Sequence, residues 1–312
     1  MAGTRGSKLA VIQTKEVINM LKRAFPDLKL RTLTITTTAD SFENVPLHKI
    51  RGKGFFVKEI DEALIEGRID FAVHSMKDVP TELPQGIGIV ATPPRKSPNE
   101  VLFTHTGKPI EKLPEGAIIG SGSFRRIAYL KRFREDLLAK PIRGNVDTRI
   151  RKVQERKYDG VILAEAGLQR LGLTNYITQR FSLNEFLPAA GQGILAVTAR
   201  KDNEKTLQVL RNINDEKTFT EAVAERAFIR TIGGGCKVPI GANTTLKRNN
   251  LILEGEILSL NGKQSLKARI SGSLNEAEFI GEKLAYQLLN SGGETLIKKV
   301  VKEIENLGPK SP

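Results

Sequence analysis

Apolar residues recur at helical spacing at Leu9, Val11, Ile12, Val17, Ile18, Leu21 and Phe25, with Ser7 placed to cap the start and Pro26 to stop the run. From Leu28 to Thr36 the pattern switches to alternation with threonines, which predicts a strand. Thr37 to Gly54 has no period and holds Gly52 and Gly54 beside Lys49, Arg51 and Lys53, the marks of a long, mobile functional loop. A helix is expected over Phe56–Glu66, a short apolar strand over Ile69–Val73 and another over Gly86–Ala91. The Pro-rich run Thr92–Pro98 marks a first crossing out of this lobe.

A second α/β run follows. Strands are expected at Ala117–Ile119, Lys140–Ile142 and Val161–Leu163, and helices at Phe124–Phe133, Val146–Arg156 and Glu165–Leu171. Pro188-Ala189-Ala190-Gly191-Gln192-Gly193 then leads into an apolar strand and reads as a return crossing. Helices near Glu204–Asn212 and Thr218–Arg230 precede Gly233-Gly234-Gly235-Cys236. Strands at Ala242–Leu246, Leu251–Leu260 and Gln264–Ile270, then helices at Glu276–Leu289 and Gly293–Glu305, close the chain. Alternating strands and helices predict α/β lobes, and strands followed by helices predict a separate α+β domain.

Composition narrows the class. With 312 residues, 39% hydrophobic and 27% charged, the chain has material for two or three domains and no sign of wholesale disorder. No apolar run reaches the roughly 18–20 residues of a membrane span, and Met1-Ala2-Gly3-Thr4-Arg5 lacks the apolar core of a signal peptide. A cytoplasmic protein is the simplest reading. One cysteine and three scattered histidines (His48, His74, His105) give no support to a disulfide or a metal site.

The charge is informative in its placement. The excess of 49 Lys+Arg over 35 Asp+Glu gives a net +14, and Arg125 to Lys157 alone holds twelve basic residues against four acids. Most of these suit a solvated helix face. Arginines at Gly/Ser/Asn turns that open helices are different, because free N–H groups and the helix dipole already favour an anion there. Three such junctions occur: Arg5-Gly6-Ser7, Gly120-Ser121-Gly122-Ser123 with Arg125 and Arg126, and Arg143-Gly144-Asn145 with Arg149. Asp78 follows Lys77 at the end of an apolar strand, either a turn aspartate or a carboxylate at the strand edge where α/β clefts bind ligands. Cys236, on a Gly/Pro loop beside Lys237, is either a small buried hydrophobe or a readily ionised thiolate that carries an attached group. Two functions compete on this ground: a two-lobed receptor for a small anion and a nucleic-acid binder. With 5% aromatic residues and no Trp, stacking platforms for nucleic acid are sparse.

Taken in order, the motifs resemble the porphobilinogen deaminase (hydroxymethylbilane synthase) family. They are Gly3-Thr4-Arg5-Gly6-Ser7-Lys8-Leu9-Ala10 with Gln13, Lys53-Gly54 with Phe56-Val57-Lys58-Glu59, and His74-Ser75-Met76-Lys77-Asp78-Val79-Pro80. Gly120–Arg126, Arg143–Arg149, Leu163-Ala164 through Gly167 to Arg170-Leu171-Gly172, Pro188–Gly193 and Gly234–Gly241 complete the set. Each is weak alone, while the ordered set from residue 3 to about 241 is highly specific.

The resemblance implies two periplasmic-binding-protein-like α/β lobes joined by two crossings, residues 1–93 with 194–213 and residues 99–188. An α+β cofactor-attachment domain over 216–312 follows them. It implies a transferase of tetrapyrrole (haem) biosynthesis that joins four porphobilinogens head to tail with loss of ammonia, giving hydroxymethylbilane. A dipyrromethane cofactor is implied as a thioether on Cys236. Asp78 is then the catalytic carboxylate, contacting pyrrole N–H groups and stabilising the azafulvenium-like cation. Ser75, Lys77, Asp78, Ser123, Arg125, Arg126, Gly144 and Asn145 are implied around the cofactor. Arg5, Ser7, Arg143, Arg149, Arg170 and Gln192, with Lys49 and Lys53 of the lid loop, are implied around substrate. A monomer with a small-molecule substrate, and neither nucleic acid nor membrane as partner, is expected. Two departures stand out: only Met1 and Ala2 precede Gly3, which puts the family's first strand in question, and Gly122 stands where the family often has Ser or Thr.

Overall fold

A computed structural model describes residues 1–37, 57–233 and 238–306. Lys49, Lys53, Cys236 and Lys237, and all but the start of the long loop expected over Thr37–Gly54, lie outside the described residues.

The first sheet has the order β2-β1-β3-β10-β4, from β1 (Ala2–Arg5), β2 (Thr32–Ile35), β3 (Phe71–Ser75), β4 (Ile87–Ala91) and β10 (Leu195–Arg200). The strand in question at the N-terminus is present: Ala2-Gly3-Thr4-Arg5 itself forms β1, parallel to both β2 and β3. Gly3 makes this possible, because a Cβ there would stand 2.3 Å from Ile69 Cδ1. Helix α1 (Lys8–Ala24) follows at once, capped by Ser7, whose Oγ accepts from Ala10 N at 3.3 Å. It buries Val17, Ile18 and Leu21 against Phe71, Val73 and Val197. Helix α2 (Lys58–Ile65) covers the same sheet.

The chain leaves this sheet after Ala91 and re-enters it at Leu195, where β10 runs antiparallel between β3 and β4. Between those points lies the second sheet, order β7-β6-β8-β5-β9. It comprises β5 (Glu100–Thr104), β6 (Ile118–Gly120), β7 (Leu138–Lys140), β8 (Gly160–Ala164) and β9 (Gln179–Arg180). The helices of this lobe are α3 (Phe124–Phe133), α4 (Val146–Gln154) and α5 (Glu165–Leu171). The strand expected over Lys140–Ile142 forms two residues earlier, because Leu138 and Ala139 are the residues that pair with Ile118 and Ile119. Strand β5 is wholly buried, so it shows no alternation by which to recognise it.

After β10 and α6 (Glu204–Arg211), helix α7 (Glu216–Ile232) leads into the third sheet, order β11-β12-β13. Its antiparallel strands are β11 (Ile240–Lys247), β12 (Asn250–Leu258) and β13 (Ser265–Ser273). Helices α8 (Ala277–Leu288) and α9 (Glu294–Asn306) pack with α7 on one face around Phe228, Leu253, Ile257, Leu284 and Val300. This block docks on the second lobe through a buried carboxylate: Glu256 accepts from Tyr129 Oη at 2.5 Å and pairs with Arg132 at 2.8 Å.

Candidate functional site

In both lobes the parallel strands end on turns that open helices or short helical turns, so the polar residues of those turns collect at carboxyl edges of the sheets. β1 ends at Arg5 and hands over to Ser7 and α1. β3 ends at Ser75 and is followed by the single 3₁₀ turn Met76–Asp78, which leaves Asp78 exposed. β6 ends at Gly120, where a Cβ would stand 2.9 Å from the Ile142 side chain. The turn beyond it is tied by Ser121 Oγ, which accepts from Ser123 N at 3.2 Å, and Ser123 Oγ accepts from Arg126 N at 3.4 Å to cap α3. Gly144 has φ 105°, and a Cβ there would also strike Thr148 at 2.6 Å. Asn145 occupies the cap position of α4 but makes no side-chain capping bond and is exposed, so its amide is not spent on the helix.

Glu100, the first residue of β5, is wholly buried and neutralises the first two arginines of α3. Arg125 bonds to one of its oxygens and to Leu187 O at 2.7 Å. Arg126 reaches the other oxygen at 2.8 Å and Ile162 O at 2.9 Å. Desolvation alone would raise the Glu100 carboxyl, but the guanidiniums of Arg126 and Arg125 and the Lys77 ammonium outweigh it and hold it at about 2. Among the described residues Arg126 Nε is buried without a partner.

Lys77 and Arg149 stand differently. Lys77 donates to Gln192 Oε1 at 3.1 Å, and Arg149 Nε donates to Gly144 O at 2.8 Å. Among the described residues neither has a carboxylate within ion-pair distance. Burial, then the field of Arg126, pulls the Lys77 ammonium down to about 8, with Asp78 and Glu100 opposing. Burial, then Arg126 and Arg143, pulls Arg149 down to about 10, with Asp78 again opposing. Asp78, Lys77, Arg126, Arg143 and Arg149 therefore share one electrostatic neighbourhood drawn from both lobes. It can stabilise a developing cation at one carboxylate while holding several anionic groups around it.

The remaining expected residues make contacts of their own. Arg5 is half-buried, and after desolvation its charge is the second cause that depresses the buried His74 ring to about 4. Ser75 Oγ accepts from Gln13 Nε2 at 2.9 Å. Gln192 is wholly buried at the second crossing and donates to Pro98 O of the first at 2.7 Å. Arg170 on α5 bonds to Glu16 of α1 at 3.0 Å and to Gly193 O at 3.2 Å, tying the lobes together from within the protein. Glu100, Arg95 and Glu225 are among the residues that escaped the sequence reading. Glu100 has a visible signal, a lone acid opening the apolar run Val101-Leu102-Phe103. Arg95 and Glu225, a buried pair at 2.7 Å joining the first crossing to α7, have none.

Comparison with known proteins bears on the whole chain. The family model described as "Porphobilinogen deaminase, dipyromethane cofactor binding domain" matches residues 1–208, and "Porphobilinogen deaminase, C-terminal domain" matches residues 219–290. The chain is 43% identical over 296 residues to a porphobilinogen deaminase of Syntrophus aciditrophicus, covering 95% of this chain and 97% of that one. It is 45% identical over 295 residues to one of Syntrophomonas wolfei, covering 95% and 96%. Among solved structures, a Salmonella typhimurium periplasmic binding protein with high arginine specificity aligns over 66% of this chain and 82% of its own, at 16% identity and a TM-score of 0.37.

Proposed function

Since the chain belongs to the porphobilinogen deaminase family, we propose that Asp78 is its catalytic carboxylate and that the cations around it hold the carboxylates of the growing pyrrole chain. The chain is a transferase that polymerises four porphobilinogen molecules head to tail with release of ammonia, giving hydroxymethylbilane in tetrapyrrole biosynthesis. Its cofactor is dipyrromethane.

The site suits such a group. Two carboxylates arrive with every pyrrole, so a six-ring chain carries about a dozen negative charges that need paired donors where they are buried. Among the described residues Lys77 and Arg149 have no carboxylate within ion-pair distance, Arg126 Nε is buried and unpartnered, and the Asn145 side chain makes no capping bond. Ser75, Lys77, Asp78, Ser123, Arg125, Arg126, Gly144 and Asn145 would hold the dipyrromethane. Cys236, outside the described residues, would carry it as a thioether. When bound, the cofactor supplies the nucleophilic pyrrole carbon from which the chain starts.

The residues of this chain do the rest. Asp78 accepts from the pyrrole N–H of the incoming porphobilinogen and stabilises the positive charge that grows as its aminomethyl nitrogen departs as ammonia. Arg5, Ser7, Arg143, Arg149 and Arg170, with Lys49 and Lys53, orient the acetate and propionate groups, so that the reacting carbon faces its partner. Gln192, bonded at once to Lys77 and to the first crossing, links this binding to the crossings between the lobes.

We take residues 1–93 with 194–213, residues 99–188 and residues 216–312 as the three domains, a division supported by the departure of the chain from the first sheet and its return at β10. We read the protein as a cytoplasmic monomer acting on a small molecule without nucleic acid. No described helix is long and apolar enough to cross a membrane.

The observation that carries the proposal is the shared neighbourhood of Asp78 with Lys77, Arg126 and Arg149. Intact-mass measurement and turnover test it together. The wild-type chain carries an increment of two linked pyrroles that is abolished in Cys236→Ser. Asp78→Asn keeps the increment but loses turnover by roughly 10²–10³-fold. Near-normal release of ammonia by Asp78→Asn would remove Asp78 from the mechanism, and full turnover by a chain of unmodified mass would remove the Cys236 attachment.

A further inference from the structure

The turn that presents Asp78 is held from another part of the chain. Immediately after Asp78, the carbonyls of Val79, Pro80 and Thr81 turn towards α7 of the third block, and one side chain meets all three. Arg226 Nη1 donates to Val79 O at 3.3 Å, and Nη2 donates to Pro80 O at 2.7 Å and Thr81 O at 3.1 Å. Nη1 also lies 4.0 Å from Met76 Sδ, inside the 3₁₀ turn itself. A planar guanidinium with five fixed donors suits three convergent carbonyls, and a single ammonium does so only in part.

The neighbouring residue fixes the helix that carries Arg226. The wholly buried Glu225 accepts from Gly191 N at 2.6 Å and Thr244 N at 2.8 Å, and from Arg95 Nη1 at 2.7 Å. One turn of α7 thus grips both crossings, strand β11 and the segment after Asp78. The helix ends at Ile232, with the left-handed Gly233 (φ 73°) as its cap, and Cys236 follows three residues later.

We infer that Arg226 is a positioning residue for the reaction: it fixes the turn that presents Asp78 to helix α7, so that the carboxylate is held in place from the third block. The inference rests on the reading of Asp78 as the catalytic carboxylate. Arg226 touches backbone carbonyls and a thioether, and acts through Asp78.

Backbone amide exchange and steady-state kinetics on the cofactor-loaded enzyme test this together. In Arg226→Ala the amides between Met76 and Leu83 exchange at least about tenfold faster, kcat falls roughly 10–100-fold, KM stays within about threefold, and the cofactor mass increment is retained. Arg226→Lys restores part of both effects, and carries the test if the alanine variant does not fold. Arg230→Ala is the control: one turn further along α7, Arg230 pairs with Glu278 and Glu282 of α8 and makes no bond to this turn. It leaves exchange at 76–83 and kcat as they are. Unchanged exchange in Arg226→Ala, faster exchange with unchanged kcat, or the same changes in Arg230→Ala would each overturn the inference. Failure of the underlying reading shows separately, as normal turnover in Asp78→Asn.

Discussion

Arg125 and Arg126 on α3 share the buried carboxylate of Glu100, whereas Lys77 and Arg149, in the same electrostatic neighbourhood, have no carboxylate within ion-pair distance among the described residues. The first pair resolves the cost of burying charge inside the protein, since Glu100 is held at about 2 against its own desolvation by the arginines it serves. The second pair does not: burial and like charge drag Lys77 to about 8 and Arg149 to about 10. A cation depressed in this way gains most when an anion arrives. Charge alone would have treated these side chains as equals, but their partners leave the first pair largely neutralised before an anion arrives and the second with most to gain from it.

Removing Glu100's charge breaks that comparison most severely. Glu100→Gln leaves two guanidiniums buried without a counter-charge, and loss of one partner of a buried pair costs about 3–5 kcal/mol. Denaturant unfolding is expected to show a destabilisation of that size. The sign with pH follows from the depressed carboxyl: the pair's contribution is full above about 4.5 and is lost as pH falls towards 2. A loss below about 1 kcal/mol would mean that water or another carboxylate already serves Arg125 and Arg126.

Glu100 also shows where reading the sequence ran short. Arg125 and Arg126 are legible as arginines at a helix start, because a Gly/Ser turn before a helix is a local pattern. Their partner lies 25 and 26 residues away on a wholly buried strand, and nothing local to either segment says that the two meet. The same holds for Arg170 with Glu16, 154 residues apart, and for Arg226 with the turn after Asp78. The turn residues themselves, Ser7, Ser123 and Asp78, are legible because caps and strand ends depend on near neighbours. Strand β1 misled for the opposite reason. Two residues before Gly3 look too few for a strand, but Gly3 and Thr4 continue it, and Asp70 N bonds back to Met1 O at 2.9 Å.

Lys77 offers an intermediate test of the unpaired set, in which affinity and stability move in opposite directions. Its ammonium, at about 8 instead of 10.5, deprotonates in the folded protein before it does in the unfolded chain. Between those values the unfolded state binds more protons, so the Lys77 contribution to stability rises with pH across this window. Binding of a carboxylate needs the charged form, so kcat/KM for porphobilinogen is expected to fall above about pH 8. In Lys77→Arg the guanidinium keeps its charge, and the alkaline limb moves up by at least about one pH unit. An unmoved limb would assign the titration to another group and take Lys77 out of carboxylate binding.

Gly122 gives the smallest effect and the finest adjustment, since it adds a donor on the side already neutralised. It is exposed, its φ is not positive, and a Cβ there would meet only Ile142 O at 3.8 Å, an ordinary contact. Gly122→Ser should therefore change stability by no more than about 0.5 kcal/mol. The new hydroxyl would stand between Ser121 and Ser123 at the start of α3, where backbone N–H groups already favour an anion. A hydrogen bond there is worth roughly 0.5–1.5 kcal/mol when made, and part of that is cancelled by the backbone donors it supplements. The expected result is a KM for porphobilinogen lowered by no more than about threefold, with kcat unchanged. A rise in KM would mean that the turn must approach the substrate more closely than a side chain allows.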